Sequence, residues 1–213
     1  TIIFLDIDGV LNSRSGAIRR KIEGDIPRYG IHEENVEPFL EFIRTFEDCE
    51  IVISSTWRCG YSGGYSKFAK EYFSYYPEIR NRIVGFTPHI PSNDADYEIK
   101  AWLSEHQTSR GAPISRIVWI DDSTYENNAF ATRFQVKTEL SVGFTYDTYL
   151  QAKKDVISDR FVFTGINPPE LIDTSYIKMS PVKVPQDSLL SFRIKETECS
   201  MSVLEKDDSS NKS

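Results

Sequence analysis

The chain has 213 residues, room for one α/β domain with a full core or for one domain plus a tail. Hydrophobic residues make up 39% and charged residues 27%, the balance of a soluble globular protein. A formal charge of −7 argues against a surface that coats nucleic acid broadly, though it leaves room for a local basic lip.

No apolar run approaches the ~20 residues of a membrane span, so no membrane partner is expected. The opening TIIFLDIDGVL is apolar but short and carries two aspartates, which reads as a buried strand rather than a signal peptide. Cys49, Cys59 and Cys199 have neither metal-ligand spacing nor an even disulfide framework, so reduced thiols in a cytoplasmic setting are expected.

In chain order, Ile2 to Leu5 reads as a buried strand ending at Asp6. A polar, glycine-containing stretch follows to about Gly30. Val36, Phe39, Leu40, Ile43 and Phe46 then recur at helical spacing, with Asn35 as the expected N-cap. Ile51 to Ile53 is a second buried strand, stopping at Ser54, and the loop WRCGYSGGY leads to a helix marked by Phe68, Ala69, Tyr72, Phe73 and Tyr76 and closed by Pro77. Ile83 to Phe86 forms a short strand. Asp94 or Asp96 caps a helix with Ile99, Trp102, Leu103 and His106 on one face. Ile117 to Ile120 is a strong strand ending in Asp121 and Asp122, and Phe134 to Val136 is another. Thr145 caps a last helix with Tyr149, Leu150, Lys153, Val156 and Ile157 inward. Strands alternating with helices predict an α/β fold with a mainly parallel sheet. Composition shifts near Asp159, so residues 158–200 are expected as an extension and 201–213 as a disordered tail.

Three apolar strands end in polar residues: Asp6 with Asp8, Ser54 with Ser55, and Asp121 with Asp122. In a parallel sheet the carboxyl ends of strands converge on one edge, where ligands bind. Four aspartates gathered there would raise one another's pKa, and a divalent cation offsets that cost. All-oxygen ligation suits Mg²⁺, which also binds substrate phosphate. A phosphate ester needs such a site, with an in-line nucleophile beside the metal.

The segments FLDIDGVLN, VISS and WIDDS resemble the first, second and fourth motifs of the haloacid dehalogenase (HAD) superfamily. Together with ISSTWR and EIKAWL, they are similar to the HAD domains associated with Swiss Army Knife RNA-repair proteins. The resemblance covers about residues 1–157 and implies a HAD-like Rossmannoid fold with a minimal cap. It implies a magnesium-dependent phosphatase in which Asp6 is the nucleophile and forms an aspartyl-phosphate. Asp8 would act as general acid and then general base, a role typically worth ~10²–10⁴-fold. Ser54 would hold a phosphoryl oxygen, with Ser55 as its alternate. Asp6, the Asp8 backbone carbonyl, Asp121 and Asp122 would hold the metal.

The third motif requires a basic residue before the last motif strand, and Lys100 is the candidate, set against a solvated surface lysine. Arg58 is a candidate phosphate contact because guanidinium binds phosphate in a fork, and Tyr61 is another; packing of Trp57 is the plainer role of their loop. Arg14, Arg19, Arg20 and Lys21 form a basic cluster, read either as a solvated hairpin or as a lip for a polyanion. Neither insertion point has room for a domain-sized lid, which favours a phosphorylated substrate such as a nucleotide or nucleic-acid end. A small metabolite, a phosphoprotein and a catalytically idle HAD-like binding module remain the alternatives.

Overall fold

The computed structural model describes residues 1–24, 30–90 and 95–165. Five strands form one all-parallel sheet: β1 (Ile2–Leu5), β2 (Glu50–Ile53), β3 (Ile83–Phe86), β4 (Ile117–Asp121) and β5 (Gln135–Lys137), in the spatial order β3-β2-β1-β4-β5. The chain winds outward from β1 in one direction through β2 and β3, then crosses back to β4 and β5. The crevice at this reversal lies beside β1, where an open α/β sheet binds its ligand.

The strands are near-continuous apolar runs because both sheet faces are covered. Ile3, Leu5, Ile51, Ile53, Val118 and Ile120 point into one core, with Val36, Phe39, Phe42 and Ile43 of α2 (Glu33–Ile43), Phe68 of α3 (Gly64–Tyr72) and Ala152 of α7 (Tyr146–Ile157). Phe4, Val52, Ile117 and Trp119 point into the other, with Ile99, Trp102 and Leu103 of α5 (Ala95–His106) and Ala131 and Phe134 of α6 (Ala129–Phe134). The result is the three-layer α/β/α architecture expected from the alternation of strands and helices. Among the described residues, no helix is long and apolar enough to cross a membrane.

Several local expectations change. The polar stretch after the first strand contains a helix, α1 (Arg14–Glu23), rather than a hairpin. Its N-cap Ser13 accepts from the Gly16 amide, and Gly24 closes it in the left-handed conformation. Its sequence, RSGAIRRKIE, has too few apolar residues to show a helical period, so only the caps mark it. Asn35 lies inside α2 rather than capping it. Its amide is spent on the carbonyls of Val142 and Phe144, at 2.7 and 3.2 Å. The third helix stops at Tyr72, and Pro77 opens a separate turn of helix, α4 (Pro77–Arg80).

Asp96 sits in the first turn of α5 rather than at its cap, and Asp94 lies outside the described residues. Thr145 does cap α7, accepting from the Thr148 amide at 3.2 Å. That helix turns Tyr149, Ala152 and Val156 inward, leaving Leu150 and Ile157 exposed. Past Ile157 the chain stays packed: Phe161 and Phe163 are buried, and Val162 bridges to Arg116. The rest of the expected extension and the tail lie outside the described residues.

Candidate active site

Register brings the three strand ends together. Leu5 pairs with Ile53 on one side and Ile120 on the other. The backbone continues the ladder by one residue each way: the Asp6 amide donates to the Ile120 carbonyl and the Ser54 amide to the Leu5 carbonyl. Asp6 therefore stands between Ser54 and Asp121 at the carboxyl edge of the sheet. A cleft of about 510 Å³ opens there, lined by Asp6, Asp8, Ser54 and Asp121 at its floor and by Tyr125 and His89 among its walls.

Asp6, Asp121 and Asp122 each offer a carboxylate oxygen within 4.8 Å of the others. Burial, then the charge of Asp121, pushes the Asp6 carboxyl up to about 7. Burial also raises Asp121 and Asp122, and Asp121 adds to the rise at Asp122. Three crowded carboxyls that resist ionisation form a donor set that a hard divalent cation fits, because a positive charge at their focus offsets the repulsion and lets them ionise together.

Asp121 is further fixed by its surroundings. Its Oδ2 accepts from the Trp119 indole at 3.1 Å and the Tyr125 hydroxyl at 3.2 Å, and its Oδ1 accepts from the Ser123 amide at 2.7 Å. Such supporting donors orient a metal ligand. Gly9 completes this corner. Its φ of 68° is left-handed, and a β-carbon there would collide with the Asp122 carboxylate, so the glycine of the DxDG segment is required on both counts.

The Ser54 hydroxyl is buried, lines the cleft and has no hydrogen-bond partner among the described residues. A buried hydroxyl left unpaired is costly, and a substrate oxygen would satisfy it. Ser55 caps a 3₁₀ turn, Thr56–Arg58, where its hydroxyl accepts from the Trp57 amide at 3.4 Å. Its hydroxyl also faces Asp6 and lowers that carboxyl's pKa against the larger effects that raise it.

Arg58 reaches the cleft wall, but its five N–H donors are taken up within the protein. Nε donates to the Thr87 carbonyl at 2.9 Å, Nη1 to the carbonyls of Ser54 and Ser55, and Nη2 to the Pro88 carbonyl and the Glu98 carboxylate. Glu98 also accepts from the Ile90 amide at 2.8 Å. This buried pair joins three segments: the turn after β2, the strand end at 87–90, and α5. It gives a physical reason why ISSTWR and EIKAWL occur together. Tyr61 likewise has an internal partner, its hydroxyl donating to Glu71 at 2.6 Å.

Lys100 is not among the cleft-lining residues. Its ammonium lies 3.1 Å from Asp96 and 5.3 Å from the centre of the Phe130 ring. In the basic cluster, Arg19 and Arg20 both pair with Glu34 of α2, Arg20 at 2.8 Å.

An all-parallel Rossmann-like sheet with an acid–x–acid–glycine turn at its central strand and paired acids on the neighbouring strand is the HAD arrangement. The chain belongs to the family of HAD domains in Swiss Army Knife RNA repair proteins, whose family model matches residues 2–148. No curated protein and no solved structure gives a significant match. Membership supports a HAD-type hydrolase, and its three clustered aspartates are able to hold a divalent metal.

Sequence reasoning missed Glu98, which holds Arg58 from 40 residues away, and Tyr125, which donates to Asp121 from four residues away. The joint occurrence of ISSTWR and EIKAWL was a signal for Glu98, and Tyr125 had none.

Proposed function

We propose that the protein is a Mg²⁺-dependent phosphoric monoester hydrolase working through an aspartyl-phosphate. The observation that carries this reading is the grouping of Asp6, Asp121 and Asp122 within 4.8 Å at one sheet edge, beside the unpaired Ser54 hydroxyl. Asp6, Asp121, Asp122 and the Asp8 backbone carbonyl would hold the ion. When bound, it neutralises phosphoryl oxygens and keeps Asp6 ionised.

Asp6 attacks phosphorus while Asp8 passes a proton to the departing ester oxygen, so the alcohol leaves and phosphate stays on Asp6. Asp8, now a carboxylate, takes a proton from water as the water oxygen attacks the same phosphorus. Inorganic phosphate departs and the Asp6 carboxylate is restored. Ser54 donates to a phosphoryl oxygen in both steps. Arg58 supports this arrangement from behind, holding the Ser54 and Ser55 carbonyls. Lys100 stands as the basic residue of the third motif, and reaching the phosphate would require it to leave Asp96.

Within this activity we favour a phosphate on a nucleotide or nucleic-acid end, acted on in the cytoplasm. The family's association with RNA repair supports that choice. So does an insertion after β1 too short in sequence for a domain-sized lid, because a polymer end needs an open cleft.

The test is phosphate release from an aryl phosphate with Mg²⁺ and with chelator, followed by a panel of oligonucleotides bearing 3′ or 5′ phosphates. Quenched samples of the Asp8→Asn variant should carry phosphate on Asp6. Full activity in chelator, or label on another residue, would refute the scheme.

A further inference from the structure

Asp8 is held by two side chains to which neither the sequence motifs nor the family description assigns a task. Its Oδ2 accepts from the Trp57 indole N–H at 2.8 Å, and its Oδ1 accepts from the Asn12 amide at 2.8 Å. Both lengths are those of strong, charge-assisted bonds. The donors come from different strand ends, Asn12 after β1 and Trp57 after β2, so they grip the carboxylate from independent supports.

Each donor is itself braced. The Asn12 side-chain oxygen accepts from the Gly9 amide at 3.0 Å, and the Gly9 carbonyl accepts from the buried Thr138 hydroxyl at 2.7 Å. The Trp57 ring packs edge-on to Tyr72 at 5.3 Å, within an aromatic group that includes Tyr61 and Phe68. A tryptophan kept only for packing has no need to aim its N–H at a carboxylate in a cleft.

We infer that Trp57 and Asn12 are positioning residues that fix the plane of the Asp8 carboxylate for its acid–base work, an inference that rests on the phosphatase reading above. An aspartate at a strand end would otherwise sample several rotamers. A group misplaced by about 1 Å can cost ~10²-fold in rate. With one donor on each oxygen, each keeps a lone pair for the reacting group, and Asp8 lines the cleft. There the proton goes to the ester oxygen in the first step and comes from water in the second.

Two consequences separate this from a packing role. The clamp acts on proton transfer, so its loss depends on the leaving group. It acts on neither phosphate binding nor the metal, so substrate affinity is spared.

The experiment uses the full chain carrying Trp57→Phe, which keeps the ring and removes the donor, and separately Asn12→Leu. On an alkyl phosphate, whose leaving oxygen needs the proton, kcat should fall roughly 10- to 100-fold, the cost typical of losing a supporting partner. On p-nitrophenyl phosphate the first step should be nearly unchanged, and phosphate should accumulate on Asp6 because hydrolysis still needs the base. There kcat and KM should fall together and kcat/KM should hold within about twofold, whereas on the alkyl phosphate KM should stay within about twofold and kcat/KM should fall with kcat.

A second readout needs no turnover. The chain has three tryptophans, and the Trp57 indole proton signal, assigned by its loss in Trp57→Phe, should move in Asp8→Asn while the other two stay. Equal losses in kcat/KM on both substrates, or an unmoved indole signal, overturn the inference while leaving the phosphatase reading intact. A wild-type chain that releases no phosphate from any monoester sinks that reading first, and this inference with it.

Discussion

Replacing Glu98 with alanine tests whether the Arg58–Glu98 pair holds the active-site turn together. The two side chains are 4% and 8% exposed, so neither charge is screened by solvent. Removing the carboxylate leaves a buried guanidinium facing only carbonyls, and it orphans the Ile90 amide as well. Breaking a buried pair from one side typically costs 3–5 kcal/mol, about a third of the stability of an ordinary domain. For a domain of this size that corresponds to a fall in Tm of roughly 6–20 °C.

Glu98→Gln keeps an acceptor for one of the two partners and should lose roughly half as much. Thermal and urea unfolding measure both, with the metal present so that the site is otherwise intact. A loss below about 1 kcal/mol for Glu98→Ala would refute the reasoning, because it would mean that the guanidinium is solvated or finds another anion.

Asp6→Asn should abolish turnover and yet raise the stability of the metal-free protein at pH 8. The Asp6 carboxyl titrates near 7 when folded and near 3.8 when unfolded. The folded state therefore holds the extra proton between those values, and this group's contribution to stability is lost as pH rises from about 4 to 7. Tm in chelator at pH 5.5 and pH 8 should show that slope in wild type and a flatter one in the variant, and Mg²⁺ should raise wild-type Tm more at pH 8. Gly9→Ala should cost about 1–3 kcal/mol from the left-handed φ alone and should weaken Mg²⁺ binding by displacing Asp122, as read by calorimetric titration. Changing Arg19, Arg20 and Lys21 together to alanine should raise KM for a phosphorylated oligonucleotide and flatten its salt dependence, from a log–log slope of about −2 for three contacts. If kcat on an aryl phosphate falls equally, the segment is structural; if neither substrate responds, the polymer reading loses its local support.

The motif strands and the acids that end them were legible from sequence because both are local properties. An apolar run of four residues buried on both sides looks the same wherever its neighbours lie, and DxDG and DDS stand directly after such runs. The convergence of Asp6, Ser54 and Asp121 followed from one general rule about parallel sheets, without knowledge of the register. Helix α1 was not legible, since half its residues are charged and its stability comes from a cap and from Glu34 pairing rather than from an apolar stripe.

Which donors grip which acids was decided only by tertiary structure. Trp57 and Asp8 are 49 residues apart and meet because two strand ends share one edge; Arg58 and Glu98 are 40 apart and meet because α5 packs beside the turn after β2. Residue type alone leaves an arginine beside a phosphate site free to bind substrate. Counting its five donors against five internal acceptors removes that freedom, and such a count requires the positions of carbonyls that no sequence pattern encodes.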